Sequence, residues 1–273
     1  MIAQDVRVGP DWLALREPAD ADARSAALVE RLARHLPDRG RLEIHDLGGG
    51  SGAMGRWLAP RLRGPQHWIL HDRDAGLLDA ALADPPGPAA GGAPVTVETR
   101  LTDITRPEPG ALAGASLVTA SALLDMLTAD ELTAMLRACA GLGCPVLLAL
   151  TVVGRTALTP AHPLDARLRV AFNAHQRRTT PRGRLLGPDA VPAAVEELAG
   201  TGAEVVVRPS PWRLGAARAD LTVEWFGGWV DAACEQEPAL AAEAGAYRDL
   251  RLAQAAAGQL TVSVDHADLL VLP

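Results

Sequence analysis

The residues best suited to chemistry lie in a glycine-rich turn near the start of the chain, which reads DLGGGSG over residues 46–52. The turn separates a predicted strand from a predicted helix. Glycines at such a place let the backbone bend sharply and approach a ligand closely, and the start of the helix presents free N–H groups. The pattern therefore predicts a ligand-binding loop rather than a plain turn.

Two acidic residues follow this turn at informative distances. Asp72 lies about 20 residues beyond it, after the second predicted strand, and Asp103 follows the third. The segment from Gly50 to Gly55 matches the G-x-G-x-x-G fingerprint of dinucleotide sites, in which an acid at the place of Asp72 binds a ribose diol. S-adenosylmethionine carries the same diol, so the turn and Asp72 alone leave both cofactors open.

The segments around these residues alternate between strand and helix patterns. Apolar alternation and short buried runs predict strands over 41–47, 67–70, 95–100, 117–120, 145–153, 204–208 and 267–273. Apolar residues at helical spacing predict helices over 28–36, 54–62, 77–82 and 189–198, a helix opened by a capping box at Thr128 and Glu131, and a helical region around Trp225 and Trp229. Such alternation with short turns predicts an α/β fold with a doubly wound parallel sheet.

We expect a single domain over residues 1–273, because no internal linker separates two units. Residues 1–40 are predicted to form an N-terminal helical cap, and residues 41–153 a cofactor-binding half. Residues 154–188, rich in Pro, Thr, Arg and His, interrupt the alternation and predict an insertion or lid that makes an acceptor pocket. Residues 189–273 then complete the sheet.

The composition excludes several classes of mechanism. All 26 basic Lys+Arg residues are arginine, so a Schiff-base lysine, a pyridoxal-phosphate anchor and a phosphate-loop lysine are ruled out. The formal net charge of −7 disfavours a nucleic-acid partner, which needs a basic face. A length of 273 residues suffices for one large α/β domain.

Cysteine spacing and hydropathy indicate whether the protein has disulfides, a metal site or a membrane-spanning segment. The three cysteines form neither an even disulfide framework nor a C-x-x-C motif, and no His, Cys or Asp group has metal-ligand spacing, so we expect no metal. The longest apolar run, 145–153, is too short to cross a bilayer, and residues 1–12 are polar. We therefore expect a cytoplasmic protein without membrane association, and a homodimer is compatible with the sequence.

Three features together distinguish the two cofactors. Asp46 precedes the glycines and completes a D-x-G-x-G-x-G motif, Asp103 supplies a second acid, and no second mononucleotide-binding half follows the fifth strand. With these residues the chain resembles class I S-adenosylmethionine-dependent methyltransferases of the bacterial, small-molecule type, at motif level over 41–154. The resemblance implies S-adenosylmethionine as cofactor, S-adenosylhomocysteine as product, and a Rossmann-like sheet of seven strands whose last strand is antiparallel.

The resemblance also implies a cofactor-binding set, which consists of Arg16, Asp46, Gly48, Gly49, Gly50, Gly52, Asp72, Arg73, Asp103, Ile104 and Ser121. In that set the glycine loop passes under the methionine and ribose, while Asp72 accepts from both ribose hydroxyls. Asp103 accepts from the adenine amino group, next to the backbone N–H of Ile104.

The same resemblance places Arg73 over the adenine edge and Ser121 beside the methionine moiety. Arg16 is expected to pair with the methionine carboxylate, and Arg24 is its rival for that role. Asp74 is the rival ribose ligand, although its position is more typical of a helix cap.

Methyl transfer from a sulfonium is an in-line displacement that depends mainly on positioning, and a general base is needed only for a weakly acidic acceptor. The candidate catalytic residues are Asp125, Asn173 and His175, and the candidate acceptor-binding residues are His162, Phe172, Gln176 and Trp212. Asp125 follows the fourth strand, where the sheet edge opens.

Asparagine and phenylalanine are rare in this chain, so the adjacent Phe172 and Asn173 are expected to have a specific role. Core packing is the alternative for Phe172 and Trp212.

We therefore expect S-adenosylmethionine-dependent transfer of a methyl group to a small-molecule acceptor, with oxygen, nitrogen and carbon acceptors left open. No N/D-P-P-Y/F motif follows the fourth strand, which disfavours amino-methylation of DNA bases or protein glutamine. Two alternatives remain. One is an NAD(P)-dependent oxidoreductase, although the lysine-free chain lacks the usual Tyr/Lys relay, and the other is a non-catalytic S-adenosylmethionine-binding partner subunit.

Overall fold

A central β-sheet organises the fold in the computed structural model, which describes residues 9–106, 108 and 110–273. The strands are β1 (Leu42–Leu47), β2 (Gln66–Asp72), β3 (Val95–Leu101), β4 (Leu117–Ser121), β5 (Val146–Thr159), β6 (Thr179–Thr180), β7 (Gly183–Arg184), β8 (Glu204–Pro209), β9 (Trp212–Leu214) and β10 (Thr261–Leu272). The α-helices are α1 (Pro10–Ala23), α2 (Ala26–Ala33), α3 (Ala53–Leu58), α4 (Ala75–Ala83), α5 (Ala129–Ala140), α6 (Leu164–Gln176), α7 (Ala190–Ala199), α8 (Ala219–Gln236) and α9 (Ala241–Ala256).

The sheet has the strand order β3-β2-β1-β4-β5-β10-β8, and β9 pairs with β10 outside this path. Strands β1 to β5 are mutually parallel, whereas β10 is antiparallel to both β5 and β8. The predicted doubly wound sheet with an antiparallel last strand is therefore confirmed, and the short β9 adds an eighth strand. Strands β6 and β7 form a separate hairpin.

Apolar side chains on the two faces of the sheet belong to two different cores. Along β5, Leu147 and Ala149 pack in one core, and Val146 and Leu148 pack in the other. This alternation follows from the two-residue period of a strand. Helices α2, α3 and α4 cover the first face, and α5 and α7 cover the second.

A third core surrounds the outer halves of β5 and β10, together with α6, α8 and α9. This part of the fold corrects the sequence prediction, because β5 continues to Thr159 and β10 begins at Thr261. A glycine at position 154 ends the strand pattern in the sequence. In the structure Gly154 has a φ of 72° and lies against α6, where a Cβ atom would be 2.9 Å from Asn173 Nδ2. The predicted insertion over 154–188 thus begins as a continuation of β5.

The N-terminal cap and the capping box agree with the sequence pattern. Helices α1 and α2 occupy the predicted cap, of which residues 1–8 lie outside the described residues. Thr128 and Glu131 form both hydrogen bonds of a capping box at the start of α5. Within the described residues, no helix combines the length and the apolar character that crossing a membrane requires.

Asp268, a buried carboxylate on β10, joins the N-terminal helices to the centre of β5. Its Oδ2 accepts a hydrogen bond of 2.7 Å from the backbone N–H of Ser25, between α1 and α2. Its Oδ1 accepts one of 2.8 Å from the backbone N–H of Leu150. Leu150 has a φ of 56°, a backbone conformation that residues other than glycine rarely adopt. Beside Asp268, the pairing of β5 with β10 shifts its register. One side chain thus satisfies two distant backbone groups.

Replacing Asp268 by alanine should destabilise the protein strongly, because both N–H groups lose their acceptor. At about 1–3 kcal/mol for each unsatisfied group, we expect Asp268→Ala to lower the free energy of unfolding by about 2–6 kcal/mol in urea denaturation. Asp268→Asn keeps one side-chain oxygen and should lose less. Asp265→Ala, a more exposed carboxylate on the same strand, is the control. Equal stability of the two alanine variants would contradict this account.

Candidate functional site

The glycine loop leaves β1 where the strand order changes direction, between β1 and β4. Gly48, Gly50 and Gly52 have φ angles of 65°, 53° and 84°, in the left-handed region that glycine adopts without strain. These angles turn the chain into α3 and keep the loop at the carboxyl edge of the sheet. Open α/β sheets bind their ligands at such a point.

A cleft of about 570 Å³ opens along this edge. Six of the residues predicted to bind a cofactor form part of its wall, namely Gly48, Asp72, Arg73, Asp103, Ile104 and Ser121. They come from the carboxyl ends of β1, β2, β3 and β4 and the loops that follow, which therefore meet at one site.

The cleft also has wall residues that sequence reasoning missed. Leu123, Met126 and Leu127 follow β4 directly, and their apolar character next to a predicted strand end could have indicated them. Arg182 belongs to the β6–β7 hairpin, and no local pattern points to it. It reaches the cleft because its guanidinium binds the Glu131 carboxylate at 2.7 and 2.8 Å.

Asp46 lies beneath the glycine loop and is fully buried. Its Oδ1 accepts a hydrogen bond of 2.6 Å from the Thr119 hydroxyl, and its Oδ2 has no partner among the described residues. A Cβ atom at Gly49 would lie 3.2 Å from this Oδ2. Burial raises the pKa of Asp46 to about 7, so a modest change in its surroundings shifts its charge near neutral pH.

Asp72 holds the glycine loop against the end of β2. Its Oδ2 accepts a hydrogen bond of 2.9 Å from the backbone N–H of Gly50, and its Oδ1 accepts one of 2.9 Å from that of Asp74. Asp74 itself caps α4 by accepting from Gly76 and Leu77. The two acids therefore have different local roles, and Asp72 is the one that contacts the loop.

The two candidate arginines of the N-terminal cap have different surroundings. Arg16 forms a bidentate pair with Asp20 at 2.9 and 3.1 Å, and its guanidinium lies 4.8 Å from the centre of the Trp212 ring. Arg24 is buried and donates from Nη2 to the Ser121 hydroxyl at 3.1 Å. Its Nε and Nη1 have no partner among the described residues. Arg24, rather than the predicted Arg16, therefore has free donors next to the cleft.

Asp125 lies on a short 3₁₀ turn that follows β4, beside cleft residues but outside the cleft lining. Burial raises the pKa of its carboxyl group to about 6, against the lowering effects of its own backbone N–H and of the Arg16 charge. At pH 7 the group is mostly ionised and can still accept a proton.

The candidate residues on α6 do not line the cleft. Asn173 Nδ2 donates to the carbonyl oxygen of Gly154 at 2.8 Å, and His175 Nε2 lies 3.3 Å from a Glu235 carboxylate oxygen. Gln176 Oε1 is buried without a partner among the described residues. Asn173 and His175 thus join α6 to β5 and α8. The predicted group of Asp125, Asn173 and His175 is therefore not brought together at the cleft.

The remaining candidates for acceptor binding are also engaged in packing. Phe172 packs against the third core, and Trp212 is buried and donates from Nε1 to Asp20 at 2.9 Å. His162 Nδ1 accepts from the backbone N–H of Leu164 at 3.1 Å, at the start of α6. The alternative of core packing thus describes Phe172 and Trp212. Within the described ranges, no three His, Cys, Asp or Glu side chains are grouped to hold a metal ion.

Comparison with known proteins gives no relation at the level of sequence. No protein-family model matches the chain, and no curated protein is significantly similar to it.

Comparison of structures does find similar folds. A cyclopropane synthase from Mycobacterium tuberculosis is 13% identical, and the match covers 97% of this chain and 95% of that one with a TM-score of 0.51. An O-methyltransferase family protein from Burkholderia thailandensis is 20% identical over 72% of this chain and 53% of that one, with a TM-score of 0.46. A magnesium protoporphyrin IX methyltransferase from Synechocystis, with bound S-adenosylhomocysteine, is 18% identical over 77% and 84%, with a TM-score of 0.42. The match to the synthase, together with the strand order, shows that this chain has the Rossmann-like methyltransferase fold.

Proposed function

We propose that this protein transfers a methyl group from S-adenosylmethionine to a small-molecule acceptor. The observation that carries the proposal is the convergence of Gly48, Asp72, Asp103 and Ser121 on one cleft at the point where the strand order reverses. These are the positions that the resemblance assigns to cofactor binding.

The adenosine half of the cofactor fits the end of the cleft formed by the loops after β2 and β3. An ionised carboxylate offers about four lone-pair sites, so Asp72 can accept from a ribose diol while it holds Gly50 and Asp74. Asp103 is exposed at the cleft and can accept from the adenine amino group. In this arrangement Ile104 supplies a backbone donor, and Arg73 covers the base.

The methionine half fits the unpartnered polar atoms next to Ser121 and the glycine loop. Arg24 Nε and Nη1 and Asp46 Oδ2 are buried and lack hydrogen-bond partners among the described residues. Arg24 is a cation, and Asp46 becomes an anion as the pH rises through its pKa of about 7. Leaving buried charged groups unpaired costs several kcal/mol, so such groups are typical of a site completed by a ligand. A zwitterionic amino acid would satisfy both, with its carboxylate on Arg24 and its ammonium group on Asp46. Arg24 therefore replaces Arg16 in our assignment.

S-adenosylmethionine, when bound, supplies an electrophilic methyl group on a sulfonium centre. The chain contributes mainly by positioning the reactants and by excluding water. Helix α1 crosses the glycine loop, where Leu13 Cδ1 lies 3.5 Å from the place of a Cβ atom at Gly50. Asp125 is the candidate group to take a proton from the acceptor, whereas Asn173 and His175 hold α6 in place.

The dinucleotide alternative fits the site less well. A pyrophosphate needs the backbone N–H groups of the glycine loop, but the N–H of Gly50 already donates to Asp72. Two carboxyl groups, those of Asp46 and Asp72, lie next to this loop and would repel the negative charge of a pyrophosphate. A non-catalytic cofactor-binding subunit remains the alternative if no acceptor is methylated, and the cytoplasmic location and the homodimer stay predictions.

Binding of S-adenosylhomocysteine tests the cofactor and the role of Asp72. In calorimetric titration we expect micromolar binding and no heat with NADH. Asp72→Asn should weaken binding by about tenfold because it removes the charge that accepts from the ribose hydroxyls. Asp74→Asn is the matched control, since asparagine caps helices as well as aspartate does. Heat with NADH alone, or equal affinity losses in the two variants, would contradict the assignment.

The affinity for S-adenosylhomocysteine should rise with pH, because its ammonium group needs the ionised form of Asp46. With a pKa of about 7 in the free protein, the ionised fraction of Asp46 grows as the pH increases from 6 to 8. The dissociation constant should therefore fall by up to about tenfold across this range. Asp46→Asn should bind weakly and without this dependence. A flat profile for the unaltered protein would show that Asp46 does not bind the amino group.

A further inference from the structure

A chain of hydrogen bonds ends next to the two acids of the adenosine site, at Thr102, which lines the same cleft. His45 on β1 and His71 on β2 are buried, with 2.9 Å between His45 Nδ1 and His71 Nε2. His45 Nε2 lies 3.4 Å from Glu43 Oε1, and His71 Nδ1 lies 3.3 Å from the hydroxyl of Thr102. The chain therefore runs from β1 through β2 to the loop after β3.

The chemistry of its end groups sets the direction of this chain. An ionised Glu43 only accepts, so a neutral His45 donates from Nε2 and leaves Nδ1 unprotonated. His71 must then donate from Nε2 to His45, and its own Nδ1 accepts from the Thr102 hydroxyl. The competing acceptor for that hydroxyl, the carbonyl oxygen of Arg100, is more distant at 3.5 Å. Burial lowers the pKa of both histidines, that of His71 to about 4, so both rings are neutral at pH 7.

The chain reaches the cofactor site through sequence neighbours. His71 directly precedes Asp72, and Thr102 directly precedes Asp103. The backbone N–H of Thr102 also donates to the carbonyl oxygen of Asp72 at 2.8 Å. The hydrogen bond between His71 and Thr102 therefore fixes the distance between the two residues that bind adenosine in our proposal.

Packing supports the loop after β3 only in part, through Ile104, which contacts the core under α5 and α7. A cavity of about 290 Å³ lies beneath the loop, lined in part by His71, Thr102, Asp103 and Ile104. Met135 and Ala138 of α5 line the same cavity, so this helix leaves space under part of the loop. The hydrogen bonds at Thr102 therefore act together with the packing of Ile104 to position the loop.

We propose that His71 and Thr102 are positioning residues for adenosine recognition, which they achieve by holding Asp103 and Ile104 in register with Asp72. His45 and Glu43 orient the His71 ring. The inference rests on the proposed function, because it assumes that these loops bind the adenosine half of S-adenosylmethionine.

The test uses two probes, S-adenosylhomocysteine and 5′-methylthioadenosine, which has the adenosine but lacks the amino-acid tail. His71→Phe and Thr102→Val should weaken the binding of both probes by the same factor, about tenfold for a lost positioning hydrogen bond. Thr102→Ser keeps the hydroxyl and should restore both affinities. Arg24→Met should weaken S-adenosylhomocysteine alone.

His67→Phe is the matched control, because His67 lies on the same strand and face and contacts a threonine hydroxyl on β3 at 2.8 Å. His67→Phe should keep both affinities within about twofold of those of the unaltered protein. If general packing at this face were responsible for the losses, this variant would lower both affinities as well. Nitrogen-15 NMR of the unaltered protein should show both rings neutral and protonated at Nε2.

Three outcomes would overturn the inference. The first is unchanged affinity for both probes in His71→Phe and Thr102→Val, which leaves the proposed function intact. The second is a different tautomer or a charged ring at pH 7. The third is failure of the unaltered protein to bind either probe, which removes the proposed function together with the inference.

Discussion

The two hydrogen bonds that Asp268 accepts attach the N-terminal helices to the sheet, and the candidate site depends on this attachment. Because Ser25 is fixed by Asp268, the adjacent Arg24 is held where its guanidinium reaches Ser121 at the end of β4. Helix α1 then crosses the glycine loop and forms an ion pair between Glu17 and Arg56 on α3. A cap that is distant in sequence from β10 is thus held against the glycine loop and the end of β4.

Charge is distributed unevenly around this cleft, and the distribution favours one kind of ligand. Asp72 and Asp103 line the cleft, Asp46 is buried beneath the adjoining glycine loop, and the buried guanidinium of Arg24 donates to the cleft residue Ser121. Asp46 and Arg24 both keep polar atoms without partners among the described residues, although burial makes this costly. In the proposed function, a ligand with a ribose at one end and a zwitterion at the other would satisfy these groups together.

Local pattern and chemistry coincide at the carboxyl edge of the sheet. Asp46 lies near the end of a predicted strand, and the glycines, Asp72 and Asp103 follow predicted strands, whose carboxyl ends meet at one edge. The structure brings Gly48, Asp72 and Asp103 to one cleft there, and their role in cofactor binding stays a prediction. In the 154–188 segment the sequence predicted catalytic and acceptor-binding roles for residues of α6, but the structure does not place these residues in the cleft wall. Asn173 supports the backbone of Gly154, and the His175 ring faces Glu235, because α6 packs against β5 and α8.

The sequence by itself determined the alternation of strands and helices, the left-handed glycine turn and the acids at the strand ends, because these depend on neighbours within a few residues. Only the tertiary structure decided which arginine of the N-terminal cap contacts Ser121, how far β5 and β10 extend, and that His45, His71 and Thr102 join in one chain. Those features arise from contacts between segments far apart in sequence. Burial and the direction of each hydrogen bond then depend on the packed neighbours, which no local pattern specifies.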